Sequence, residues 1–175
     1  VKREAILDAA ELVLCERGAQ SLTLAAAAEL AGVSKGGLLY HFPTKEALLK
    51  GLIDRVIDEF DALVASYDDG SPGSYSRAYV HATFAVVTGS AGARTRRRWA
   101  GITAAAAEPE LLAPLRAAMT RWHRRDPAQD PDPVAAMVVR LAAEGLWEVV
   151  AHDPEVFDPG QLAALRERLL SLLGS

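Results

Sequence analysis

A chain of 175 residues, half of them hydrophobic and 24% charged, can bury a real core and is not a disordered tail. Its single cysteine, Cys15, excludes an intrachain disulfide framework and suits a reducing compartment. No apolar run approaches the roughly 18 residues of a membrane span, and the opening residues do not read as a secretory signal, so a cytoplasmic location is expected. The net charge of −4 does not advertise a nucleic-acid binder, but its distribution is uneven. The first fifty residues hold six basic and six acidic side chains, so the whole negative balance falls on the remainder. A neutral head on an acidic body permits DNA binding at the head and disfavours it elsewhere.

The periodicity is helical throughout, with no sustained period-2 alternation and no internal repeat. A first helix is expected over about residues 2–17, with Ile6, Ala10, Val13 and Leu14 on one face and Gly18 as the stop. Thr23 caps a second helix, about 24–31, which ends at Gly32. Ser34 caps a third, about 35–41, closed by Pro43, because proline disfavours helical geometry in the residue before it. Thr44 caps a long fourth helix, where Leu48, Leu52, Val56, Phe60, Leu63 and Tyr67 form a stripe about 35 Å long. The breaker run Asp68 to Ser74 follows. Further helices are expected over about 75–88 and 93–107, from near Pro109, over about 133–151, and from Pro159 to about Leu173. Asp132-Pro133 and Asp158-Pro159 open the last two with the same cap-then-proline device.

The informative segment is Thr23 to Leu49, TLAAAAELAGVSKGGLLYHFPTKEALL. Two short helices meet at Gly32, which can take the positive φ of a tight turn. Ala28 is small enough for a close crossing, and Val33 and Leu38 are placed to fill the space between the helices. This is the pattern of a helix-turn-helix. The third helix carries Gly36 and Gly37 in its first turn, which costs roughly 1 kcal/mol per glycine in a helix interior and less near an end. A purely structural helix has little reason to accept this, whereas a recognition helix gains a bare backbone that approaches the groove floor. Lys35, Tyr40 and His41 supply donors around that surface. Thr23 and Lys45 stand at helix starts, where anions are favoured. Lysine is electrostatically unfavourable there, so Lys45 reads as a phosphate contact rather than a stability device.

The string AGVSKGGLLYHFPTKEALL, with Gly18 and Thr23 upstream, resembles the recognition-helix signature of the tetracycline-repressor (TetR) family over about residues 5–52. The resemblance implies an all-α fold of about nine helices. A three-helix DNA-binding head, residues 1–48, is joined by the long fourth helix to a helical effector-binding and dimerisation domain, residues 49–175. It carries DNA contacts onto Thr23, Ser34, Lys35, Gly36, Gly37, Tyr40, His41 and Lys45, and gives Phe42 a packing role. Ala27 replaces a usual large aliphatic. Gly37 stands where the family often has Thr or Ser, which moves base readout to Lys35, Tyr40 or backbone groups.

For the body, the resemblance implies a homodimer, a double-stranded DNA operator and a small hydrophobic or amphipathic effector, with no cofactor, metal or catalytic residue. Effector-pocket candidates are Phe60, His81, Phe84, Trp99, Thr103, Met119, Trp122 and Trp147. Dimer-face candidates are Val138, Leu141, Ala142 and Gly145 on the eighth helix, with Leu162, Leu165 and Leu169 on the ninth. The alternative for these two stripes is ordinary core. Two copies about one DNA turn apart would read a palindrome. Effector binding that shifts the fourth helix would spoil that spacing.

Other features have plainer readings. Arg94, Arg97 and Arg98 fall on one helical face and read as a solvated surface, as do Arg121, Arg124 and Arg125 near a helix C-terminus. Cys15 reads as a small, at least half-buried apolar residue. The four histidines have no metal-ligand spacing. An activator, or a regulator answering to a protein partner, stays open beside the repressor. An all-helical enzyme would need a titratable group within hydrogen-bond reach of His81 or His123.

Overall fold

The structure is a computed structural model that describes residues 2–106 and 108–174, the side chains of 89–91 excepted. Among these residues there are nine α-helices and no strand: α1 Lys2–Arg17, α2 Leu24–Leu30, α3 Lys35–His41, α4 Lys45–Tyr67, α5 Ser74–Val87, α6 Gly89–Ala105, α7 Ala113–His123, α8 Pro133–His152 and α9 Pro159–Leu172. The expected sixth helix, 93–107, starts four residues earlier, and its last residue lies outside the described ones. The expected seventh opens instead with a single 3₁₀ turn, Pro109–Leu112, before α7.

The caps foreseen from sequence are formed. Thr23 Oγ1 accepts from Ala26 N, Ser34 Oγ from Gly37 N and Thr44 Oγ1 from Ala47 N, each at 3.1 Å. Asp132 accepts from Val134 and Ala135, and Asp158 forms a reciprocal capping box with Gln161. Each satisfies backbone donors that a helix start leaves orphaned.

The chain divides into two compact units that do not follow sequence order: residues 1–57 with 97–118, and residues 58–96 with 119–175. In the first unit α1 packs against α2 and α3, with Ile6, Leu7, Ala10 and Val13 from α1 closed off from solvent beside Leu22, Ala27 and Leu38. Ala27 is fully buried. Val33, in the turn before α3, is only half-buried, and Leu38 is the buried residue that α3 itself contributes. Gly32 has φ +64°, as the turn requires.

The buried face of α4 differs from the expected stripe. Leu48, Leu49, Leu52, Ile53, Ile57 and Val64 are buried, while Val56, Phe60 and Leu63 are half-buried and Tyr67 is exposed. Steps of four residues drift by about 40° each around a helix of 3.6 residues per turn, so a stripe spaced mostly by four walks off the core.

The second half of α6 also belongs to the first unit. Gly101 lies against Leu14, where an added Cβ would stand 3.0 Å from Leu14 Cβ. Arg98 Nε meets Glu11 at 2.5 Å, and Arg55 holds Glu11 and Asp8 at 2.6 Å each. The Arg98 side chain is only 12% exposed, which corrects the solvated reading of this arginine run at that position. Burial removed it from solvent because a carboxylate on α1 was there to pair with it.

In the second unit α5 packs between α8 and α9. Its apolar centre is Val80, Phe84 and Val87 against Ala136, Val139, Leu146, Val150 and Leu169. Arg140 of the same unit is also buried, donating to Ser76 Oγ at 2.6 Å and facing Asp130 at 3.4 Å. No described helix is long and apolar enough to cross a membrane.

Gly51 is the tightest requirement of the first unit. A Cβ there would stand 2.7 Å from the ring of Phe42 and 3.3 Å from Leu7. Gly51→Ala is expected to destabilise the protein by about 1–3 kcal/mol through overpacking, read as a lower urea midpoint with an unchanged slope.

Candidate nucleic-acid interface and ligand-binding body

Helix α3 has two unlike sides. Leu38 is 1% exposed and faces the head core, whereas Tyr40 is 85% exposed. Thr23, Ser34, Lys35 and Gly36 are exposed, and Gly37, His41 and Lys45 are half-exposed, so none of the eight candidate contacts is buried. The hydroxyls of Thr23 and Ser34 are used as acceptors in their caps, which leaves each O–H proton available to donate outward. The rings of Tyr40 and His41 meet edge to face at 5.1 Å. At the start of α4, its own backbone N–H and the Thr44 side chain lower the pKa of the exposed Glu46 carboxyl from its ordinary value.

The packing of the fold does not ask for a glycine at 36, whereas at 37 a side chain would press on the cap of α3. Neither glycine has a positive φ. A Cβ at Gly36 would meet nothing within 4 Å, and one at Gly37 would meet only Ser34 Oγ, at 3.2 Å. Phe42, by contrast, is 3% exposed with its ring edge against Gly51, as its packing role requires. The signature region is matched, over residues 6–52, by the family model described as bacterial regulatory proteins, tetR family. Residues 73–174 match the tetracyclin repressor-like C-terminal domain, which covers more than half of the chain. This protein belongs to the TetR family of transcriptional regulators.

The relatives agree. This TetR-family chain is 40% identical to the HTH-type transcriptional regulator RutR of Escherichia coli (strain K12) over 80 residues, 45% of this chain and 38% of RutR. It is 38% identical to the transcriptional repressor BepR of Brucella suis biovar 1 (strain 1330) over 73 residues, 40% of this chain and 35% of BepR. The match thus spans under two fifths of the length of either relative. Among solved structures, a TetR-family member from Streptomyces coelicolor A3 has a TM-score of 0.74 at 23% identity, with 99% of each chain covered. The multidrug binding protein EbrR complexed with malachite green has a TM-score of 0.69 at 22% identity, covering 99% of this chain and 98% of EbrR. At these identities the likeness is one of fold.

The body of this regulator places its candidate pocket residues in different settings. Phe60 and Trp122 belong to a packed aromatic cluster. Phe60 meets Trp122 at 4.8 Å and Tyr79 at 5.4 Å between ring centres, both edge to face. Trp122 Nε1 donates to Asp61 at 2.6 Å, and Asp61 also pairs with Arg121. Tyr79 O–H donates to Glu144 at 2.6 Å, and burial together with that carboxylate pushes the phenol far above its ordinary range. Glu144 lies 3.5 Å from His123 Nε2, longer than the roughly 2.6–3.2 Å of a catalytic hydrogen bond, and is already committed to Tyr79. Arg125 stacks over Tyr75 at 3.8 Å and so is not free surface charge.

Trp147 packs on the apolar centre of the second unit, and Met119 is half-buried on α7. Trp99 and Thr103 lie on the part of α6 that belongs to the first unit, where Thr103 Oγ1 donates to the Trp99 carbonyl at 3.0 Å. His81 and Phe84 line an open cleft of about 620 Å³ within the second unit. Its other walls include Tyr67, which the sequence placed only in the α4 stripe, and Phe157 and Arg166, which it did not single out. Phe157, directly before the Asp158-Pro159 cap, carried the one usable signal. Arg166 reads as an ordinary exposed helix residue.

The helix-packing candidates also separate. Val138, Leu141, Ala142 and Gly145 are exposed, in a continuous face with Val134, Met137 and Val149. Leu162, Leu165 and Leu169 turn the other way, into the chain's own apolar centre.

His81 gives a pH-dependent signature. Burial and the charge of Arg166 push its imidazole below the ordinary value of 6.5. The unfolded chain therefore takes up this proton first, and the stabilising contribution, present above that value, is lost as pH falls through the depressed one. Between about pH 7 and pH 5 the thermal midpoint is expected to fall less in His81→Gln than in wild type. Parallel curves would contradict this.

Proposed function

We propose that this regulator is a repressor that binds a palindromic DNA operator as a homodimer and leaves it when a small apolar or amphipathic effector binds. The observation that carries the reading is the two-sided α3. It is held from beneath by Leu38 and presents Lys35, Gly36 and Tyr40 outward, with a glycine at 36 that nothing nearby in the fold requires. Residues 1–48 act as the DNA-binding head and 49–175 as the effector and dimer domain. In the head, Thr23, Ser34, His41 and Lys45 hold phosphates. Lys35, Tyr40 and the backbone at Gly36 and Gly37 approach the bases, because Gly37 has no side chain with which to read one.

A dimer is supported by α8. Val134, Met137, Val138 and Leu141 are each at least 50% exposed, a density of apolar surface that a lone chain in water does not favour. Ala142 and Gly145 are exposed amid that face, and nothing lies within 4 Å of a Cβ placed at Gly145, so a partner helix can approach closely. On α9, Ala164 and Leu172 are exposed as well. Ligand response is supported by the cleft of the second unit and by the EbrR fold, whose solved complex holds malachite green. Release requires that the effector favour one state of the regulator over the other, with a shift of α4 as the carrier.

Selection of genome fragments on the purified protein is expected to enrich a palindrome with half-sites about one DNA turn apart. On that site Tyr40→Ala should weaken binding on the order of tenfold at fixed salt, with helicity unchanged. Unaltered affinity would remove α3 as the reader. Leu141→Glu should shift the protein to a monomer by sedimentation and lose operator binding. A dimer that survives this change would place the interface elsewhere.

A further inference from the structure

The cleft of the second unit has a composition that says what it takes. Tyr67 from α4 and His81 from α5 stack at 5.4 Å with their rings tilted by 31°. Phe84 and Phe157 continue this aromatic lining, and Leu162 of α9 adds an aliphatic wall. At about 620 Å³ the space falls in the range of small-molecule sites.

The charged groups on its walls are not equivalent. Asp158 is occupied, accepting from Gln161 N at 2.8 Å as the cap of α9. Glu155 is exposed on the short link between α8 and α9. Arg96 is anchored by a 2.5 Å bond to the Val87 carbonyl, which fixes a guanidinium on the wall with four further N–H donors. Arg166 makes no ion pair or hydrogen bond with any described residue, although Glu155 and Asp158 line the same cleft. Its charge is felt by His81, whose imidazole it helps keep neutral and therefore able to donate or accept one hydrogen bond.

We propose that this cleft is a binding site for an aromatic carboxylate, its rings against Tyr67, His81, Phe84 and Phe157 and its carboxylate on Arg166, with Arg96 alongside. A guanidinium matches a carboxylate with two parallel N–H donors, and an aromatic-lined cleft accepts the ring system by area and edge contacts. The site deepens the effector-responsive reading and rests on it for its biological meaning. It does not share that reading's residues in the head, so binding can be measured without DNA.

The test compares 2-naphthoate with its uncharged analogue 2-naphthylmethanol by isothermal titration calorimetry on the full chain. Wild type is expected to bind one naphthoate per chain, at least about tenfold tighter than the alcohol. Arg166→Gln should erase that difference while leaving the alcohol's affinity unchanged. Ala163→Trp, at an exposed position that lines the cleft, should abolish binding of both, with helicity by circular dichroism confirming the fold. Equal affinity for the two compounds in wild type, or absence of naphthoate binding, would overturn the proposal. So would a preference that survives Arg166→Gln, or binding that survives Ala163→Trp. Operator binding measured on the same preparations keeps the two readings separable. Loss of naphthoate binding with operator binding intact removes the ligand class alone, and the converse removes the DNA reading alone.

Discussion

A seven-residue helix is unstable alone in water, where isolated helices shorter than about 12–15 residues are marginal even in favourable sequences. Helix α3 is of that length, has two glycines in its first turn, and must keep one face free. Its order has to come from the other face and from its ends. Leu38 supplies the buried contact, the Ser34 cap satisfies a first-turn donor, and Phe42 anchors the exit against Gly51. The rest of the head follows from that constraint. Gly51 is bare because the Phe42 ring needs the space, and α1 is apolar across a wide face because it covers both short helices.

The two units solve burial differently. The first encloses nearly pure hydrocarbon and keeps its ion pairs at the margin, where Glu11 bridges Arg55 and Arg98 with side-chain exposures of 12–20%. The second takes polar groups inside: Arg140 with Ser76 and Asp130, and Tyr79 with Glu144. Groups of this kind add little net stability when satisfied but are costly to orphan, so they constrain how α5 and α8 pack against one another. A body that sets α5 so firmly along α8 also presents a firm wall to the cleft at the far end of α5, where Phe84 and Val87 lie.

Within that cleft the decisive property is an imbalance of use. Four charged side chains line it, but a capping carboxylate is already satisfied, whereas Arg166 is not. Net charge alone would have concealed this. What is left for a ligand are the donors and acceptors not already spent on the fold.

The head was legible from the residues themselves because its determinants are local. Caps at Thr23, Ser34 and Thr44, the positive-φ turn at Gly32 and the proline at 43 each act within a few positions of where they stand, so a linear reading suffices, as it does for the caps at Asp132 and Asp158 in the body. The exposed face of α8 was recognisable as an apolar stripe for the same reason. What only the tertiary structure decided is partnership at a distance: that Arg98 pairs with Glu11, 87 positions earlier in the chain, that Trp122 is fixed on Asp61, that Leu165 turns inward, and that Tyr67 and Arg166 share one cleft. Periodicity says that a helix has an apolar side. Which neighbour that side meets depends on how the helices cross, and that is settled by packing over the whole fold rather than by any segment of it.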